Sequence, residues 1–261
     1  MKIIIRIVMT IALAMGGWET AAGEPEAPLP VSRAGQRLIV IFMKGFDAAT
    51  VLDNPTDHIQ DEIRATFAGH NVEFKITNTA SRTDLATALF RADIFYLNAH
   101  AVTPYQVDIL SGTGLEARKE LMQGILVAPS DDNKDKSPGG NSIATALYIR
   151  QQRMAQGPGK GPRLVIVNGC SLTDRKDGVI MVNRISHAVG VPDSSTDRTF
   201  VGWDYRVLGG SQDGNFAAML RKWTTAGPDG TCPTIEEAIN ATNWGAVKQP
   251  VIVGARSLRY K

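Results

Sequence analysis

The chain is poor in cysteine and net charge and, past its first residues, has no long apolar run. Its two cysteines, Cys170 and Cys232, leave room for one disulfide and no more. The 28 basic and 26 acidic side chains give a net charge of +2, and that balance gives no reason to expect a nucleic-acid partner. No segment repeats, and no composition shift divides residues 37–261. The one polar, acidic stretch, Asp131 to Gly140 (DDNKDKSPGG), lacks the ligand spacing of an EF-hand and reads as a solvated loop, so no metal is expected. Apolar residues make up 43% and charged residues 21%, ordinary values for a globular chain of 261 residues.

The N-terminus carries targeting features. Lys2 and Arg6 form a basic n-region, Ile7 to Met15 an apolar h-region too short to span a bilayer comfortably, and Thr20-Ala21-Ala22-Gly23 offers small residues for signal peptidase. The expected organisation is a signal peptide over 1–23, a linker over 24–36 with three prolines between Glu24 and Arg33, and one domain over 37–261. Retention as an uncleaved anchor is the alternative. The expected mature protein is exported, periplasmic or secreted, without membrane attachment.

Arg37 to Met43 (RLIVIFM) reads as a buried strand. Ile59, Ile63 and Phe67 form a helical stripe stopped by Gly69, and Val72, Phe74 and Ile76 alternate as a second strand. Ser81 and Asp84 make a capping-box-like start for a helix burying Leu85, Ala88 and Leu89. A third strand-like run, Ile94-Phe95-Tyr96-Leu97-Asn98-Ala99-His100, ends on His100. This β-α-β-α-β order predicts an α/β fold: a three-layer α-β-α sandwich with a mostly parallel central sheet and helices on both faces.

Further on, Gln106–Leu110 reads as a short strand or hairpin arm, Leu115–Met122 as a short helix, and Ser142–Gln156 as a helix broken by Gly157 to Pro162. Leu164-Val165-Ile166-Val167-Asn168-Gly169-Cys170-Ser171 holds the next buried strand, which ends on Cys170. A loop over 171–178 leads to a helix through Ala188. Thr199–Trp203 (TFVGW) is a core strand, Phe216, Met219, Leu220 and Trp223 share a helical face, Thr234 and Glu237 form a capping box, and Val251–Val253 offers a last strand.

Two buried strands therefore end on chemistry-bearing residues, His100 and Cys170. In open α/β sheets, function gathers outside the carboxyl ends of the strands. An imidazole beside a thiol is the minimum for nucleophilic catalysis, because the base makes the thiolate that attacks. If the two strands are adjacent and parallel, their ends lie roughly 5 Å apart. The imidazole and sulfur are then expected within roughly 3.5 to 7 Å, with the N–H groups of Ala101 and Cys170 facing one cleft and Trp203 or Asp204 on its rim. Gly169 permits a sharp turn and close approach of a substrate. His187, on a helix, competes weakly for the base role, while His58 and His70 read as surface residues.

The strand order, the histidine ending the third strand and the cysteine ending the fourth resemble the caspase-like fold of cysteine peptidases (clan CD), nearest in pattern to the bacterial gingipain-like and CHAT branches. The matching pairs are His100-Ala101 and Gly169-Cys170, and Phe200-Val201-Gly202-Trp203 followed by a helix also matches, over roughly 37–260. The resemblance implies Cys170 as nucleophile, His100 as general base and acid, and an oxyanion hole of the backbone N–H groups of Ala101 and Cys170. It implies a polypeptide substrate, no cofactor, and a pocket near Gly169, Trp203 and Asp204, where a carboxylate favours arginine or lysine before the cut bond. Ala101 stands where the family carries glycine: it keeps the donor, but its Cβ excludes conformations reserved for glycine. The alternative is a catalytically inactive caspase-like binding domain, with Cys170–Cys232 as a structural disulfide.

Overall fold

The computed structural model describes residues 30–45, 56–78, 81–110, 117–129, 142–157, 159, 161–169, 175–176, 179–180, 184–204 and 212–261; it gives the backbone alone for 56–58, 78, 102–110, 117–122, 175–176 and 179–180. In chain order the elements are β1 (Leu38–Lys44), α1 (Thr56–Thr66), β2 (Val72–Asn78), α2 (Arg82–Arg91), β3 (Ile94–Asn98), β4 (Ala101–Leu110), β5 (Ala117–Val127), β6 (Ser142–Thr145), α3 (Ala146–Gln156) and β7 (Leu164–Asn168). There follow β8 (Arg175–Lys176), β9 (Val179–Ile180), α4 (Ile185–Ala188), β10 (Thr199–Gly202), α5 (Asp213–Thr224), α6 (Ile235–Asn240) and β11 (Val251–Gly254).

The molecule is α/β. Its main sheet has six strands in the order β11-β10-β7-β3-β1-β2. All neighbours are parallel except β11, which runs antiparallel to β10. The β1, β3, β7 and β10 sequences are continuous apolar runs because both faces are covered. Alternate residues serve opposite layers. Val40, Phe42, Tyr96, Ile166, Val201 and Trp203 pack with the inner sides of α1, α5 and α6. Ile41, Phe95, Leu97, Val165, Val167 and Phe200 pack with α2, α3 and α4.

The expected helix starts are formed. The Ser81 hydroxyl accepts from Asp84 N–H at 3.1 Å. Thr234 and Glu237 complete a reciprocal capping box, the Thr234 hydroxyl accepting from Glu237 N–H at 3.1 Å and Glu237 from Thr234 N–H at 2.7 Å. Gly69, at φ 80°, lets the chain leave α1 in a conformation other residues rarely adopt.

Three sequence expectations are corrected. Of the stretch 115–122, read as a helix, the described residues 117–122 belong to β5, which pairs antiparallel with β4 and β6 in a separate three-stranded sheet. Ladder pairing there overrides the local helical composition. Gly124 belongs to that pairing, since a Cβ on it would meet the Ile143 side chain at 2.3 Å. Second, Ser142–Thr145 is β6 rather than the first turn of a helix. These four residues are buried and paired to β5, and the Thr145 hydroxyl then caps α3 by accepting from Tyr148 N–H at 3.2 Å. Third, among the described residues of the segment read as a helix up to Ala188, helix is confined to α4, and Val179–Ile180 is β9, paired to β8. In addition, the end of the presumed linker is tied to the domain. Val31 is buried, and Val31 and Ser32 N–H donate to the carbonyls of Arg259 and Tyr260 at 3.0 and 2.8 Å. Among the described residues no helix is long and apolar enough to cross a membrane.

Candidate active site

The two strands singled out by the sequence are neighbours. β3 and β7 run parallel, with Asn98 and Asn168 as Cα partners at their carboxyl ends. His100 follows Asn98 by two residues, and Cys170 follows Asn168 by two. Cys170 itself lies outside the described residues, and so does any distance from its sulfur to His100. The stretch Asp131 to Gly140, read from the sequence as a loop, is also outside them, as is the side chain of His58.

His100 is half-buried. Its backbone is held from the second sheet: the His100 carbonyl accepts from Leu126 N–H at 2.9 Å. Ala101 then pairs with Ile125. With the ladder bond falling at His100, Ala101 and Ile125 form a non-hydrogen-bonded pair, so the Ala101 N–H points away from β5. Gly45, at the end of β1, closes in on the same turn. Its N–H donates to the Asn98 carbonyl at 2.5 Å, and a Cβ on it would lie 2.9 Å from the Ala99 Cα.

Beneath the strand ends is a polar cluster that sequence reasoning did not find. Asp213, the first residue of α5, is fully buried. Its Oδ1 accepts from the Tyr96 hydroxyl at 2.5 Å and from Asn168 Nδ2 at 2.5 Å; its Oδ2 accepts from Asn98 Nδ2 at 2.6 Å. The Trp203 indole Nε1 donates to Asn168 Oδ1 at 3.0 Å. Tyr96, Asn98 and Asn168 lie on the face of the sheet that α5 covers, because each follows the two-residue period of its strand. Burial pushes the Asp213 carboxyl up from 3.8 to about 6, against the pull of the Tyr96 hydroxyl and the Asn168 amide. The Tyr96 hydroxyl is pushed well above its ordinary value, first by burial and then by the Asp213 charge.

Trp203 is wholly buried. Its ring meets Phe216 at 5.5 Å and Trp244 at 5.7 Å, both edge-on, so it forms part of the floor under the strand ends. Asp204, the next residue, is exposed. Gly169 is buried. His187 is on α4, with Nε2 2.6 Å from Arg184 Nη2 and 3.5 Å from Asp193 Oδ2. Burial, then the Arg184 charge, lowers its pKa. His70, expected at the surface, is half-buried in the turn after α1 with its ring edge-on to Tyr260 at 4.8 Å.

Cys232 carries a free thiol, fully buried, donating to the Thr224 carbonyl at 3.5 Å. Burial is the main cause that raises its pKa. Thr224 ends α5, and eleven residues of helix, about 16 Å, separate it from Asp213 at the strand ends. Among the described residues no group of three or more histidine, cysteine, aspartate or glutamate side chains could hold a metal ion.

Two signals in the sequence point to the cluster. An asparagine stands two residues before both His100 and Cys170, at the end of an otherwise apolar run. Asp213 falls at i−3 and i−7 from Phe216 and Leu220, on the apolar stripe of its helix. No protein-family model and no curated protein matches the sequence.

Proposed function

We propose that the chain is an exported cysteine endopeptidase of the caspase-like fold, acting through a His100–Cys170 dyad. The observation that supports the reading is the parallel pairing of β3 with β7, with Asn98 opposite Asn168. Two residues beyond that pair come a base and a nucleophile, at the sheet edge where α/β enzymes work. His100 takes the thiol proton of Cys170. The thiolate attacks the scissile carbonyl carbon, and the oxyanion is met by the N–H groups of Ala101 and Cys170. His100 returns the proton to the leaving amine as the C–N bond breaks. Water, deprotonated by His100, then hydrolyses the thioester and frees the carboxylic product and the thiol. The cycle consumes one water and calls for no cofactor. The exposed Asp204 carboxylate beside this edge suits a lysine or arginine before the cut bond.

The test is cleavage of a peptide set carrying basic or acidic residues before the cut, by the wild-type chain and by Cys170→Ala. Cleavage after a basic residue that disappears in the variant supports the reading, whereas no cleavage of any peptide contradicts it. Ala101, where the resembling family has glycine, favours a second reading: a caspase-like domain that binds a polypeptide without turning it over. Peptide binding at an unreactive Cys170 would favour that second reading.

A further inference from the structure

The buried carboxylate of Asp213 has no place in the acylation chemistry, yet it bonds to both strands that lead to the dyad. Resting on the peptidase reading, we propose that Asp213 is the positioning residue of the site: its carboxylate clamps Asn98 to Asn168 and so fixes the carboxyl ends of the two strands that lead to His100 and Cys170.

Asn98 and Asn168 are opposed across the ladder, but main-chain bonds alone leave their side chains to find their own places. The Asp213 carboxylate spans them, one oxygen on each amide, and takes the Tyr96 hydroxyl as a third donor. Trp203 fixes the sense of the Asn168 amide by occupying its oxygen, which turns the NH2 toward Asp213. The three groups bonded to the carboxylate are all donors, the arrangement that suits its ionised form. A proton on either oxygen takes up acceptor capacity and reorganises the cluster, the Tyr96 hydroxyl turning from donor to acceptor or one amide bond weakening.

Among the described residues Tyr96 is the titratable group hydrogen-bonded to Asp213; Asn98, Asn168 and Trp203 are neutral. The rings of Phe216 and Trp244 wall the cluster by packing on Tyr96 and Trp203, and Ile59 of α1 reaches Gly214 beside it. Among the described residues, Lys44, the Cα partner of Asn98, and His100, two residues after it, are further charged or titratable groups at this strand edge. The N-terminus of the twelve-residue α5 favours the ionised form, while burial opposes it and brings the titration to about 6. The clamp is thus engaged at neutral pH and loosens in mild acid.

The experiment pairs two readouts on the full chain: the pH dependence of Cys170 alkylation by iodoacetamide, and side-chain amide NMR of Asn98 and Asn168. In the wild type the two amide signals should move together with a midpoint near pH 6, and His100→Gln should leave that midpoint in place. Asp213→Asn should abolish the shared midpoint and slow alkylation at neutral pH by about tenfold or more, since a displacement of about 1 Å costs up to about 10²-fold. A reactive Cys170 whose rate profile is unchanged in Asp213→Asn overturns the proposal. If that variant does not fold, the wild-type amide signals decide: static signals, or two different midpoints, overturn it. Failure of the peptidase reading has another signature. Cys170 then alkylates no faster in the folded than in the denatured chain, and His100→Gln changes nothing; the positioning role falls with it.

Discussion

The two edges of the main sheet use charge in opposite ways. At the amino edge, ionic side chains hold backbone. Asp93 Oδ2 accepts from Ile39 N–H at 2.8 Å, Arg163 donates to the Pro30 carbonyl at 2.7 Å, and Arg198 donates to the Gly159 carbonyl at 2.7 Å. These bonds are part-exposed or exposed, and each ties a loop to a strand start. At the carboxyl edge, by contrast, the Asp213 charge is fully buried and held by the side chains of Tyr96, Asn98 and Asn168. A protein that needed only to close its loops could do so at either edge with surface bonds. Burying a carboxylate is costly unless hydrogen bonds compensate it, and here that cost falls under the ends of the two strands leading to His100 and Cys170.

The largest expected effect that would break this contrast is Asp213→Ala. Three buried donors left unpaired cost about 1–3 kcal/mol each. Relief from no longer burying the charge returns about 3 kcal/mol, the equivalent of moving a carboxyl from 3.8 to about 6. The net loss should be about 3 kcal/mol in urea unfolding at neutral pH, and no loss would mean that water satisfies the cluster.

Next in size is a pH effect. The folded-state pKa of Asp213 is raised, so the native state holds this proton more tightly than the unfolded chain. Its contribution to stability is greatest below about 3.8 and falls as pH rises to about 6, then levels off. The stability of the wild type minus that of Asp213→Asn should therefore fall by up to about 3 kcal/mol from pH 4 to pH 7. A difference that rises with pH would show that the hydrogen bonds outweigh burial.

The smallest effect belongs to the amino edge. Arg198→Ala removes bonds to the Gly159 and Gly161 carbonyls and should cost about 1 kcal/mol. The alkylation rate of Cys170 should not change; a slowed rate would mean that the two edges are not independent.

How much the sequence disclosed follows from which forces write a pattern into it. β1, β3, β7 and β10 were legible because strands buried on both faces leave unbroken apolar runs. The caps at Ser81 and Thr234 were legible because a local bond needs only local residues. The β4–β5–β6 sheet was not, although its strands follow one another in the chain, since the ladder overrode the helical composition near Leu115–Met122. The carboxyl ends of β3 and β7, the strands that lead to His100 and Cys170, were expected to be neighbours from the order of the apolar runs, and the two strands pair in parallel. Asp213 was not, because 45 residues separate it from Asn168 and 115 from Asn98, and a polar residue opening a helix ordinarily faces water.

The central claim is that Cys170 is a nucleophile activated by His100. The most direct measurement is mass spectrometry of the full chain alkylated with iodoacetamide before and after reduction, in the wild type and in His100→Ala. The account predicts rapid modification at Cys170 without reduction, slowed at least tenfold in the variant, with the buried Cys232 modified only on unfolding. Modification of Cys170 only after reduction, or at the same rate in both proteins, would contradict it.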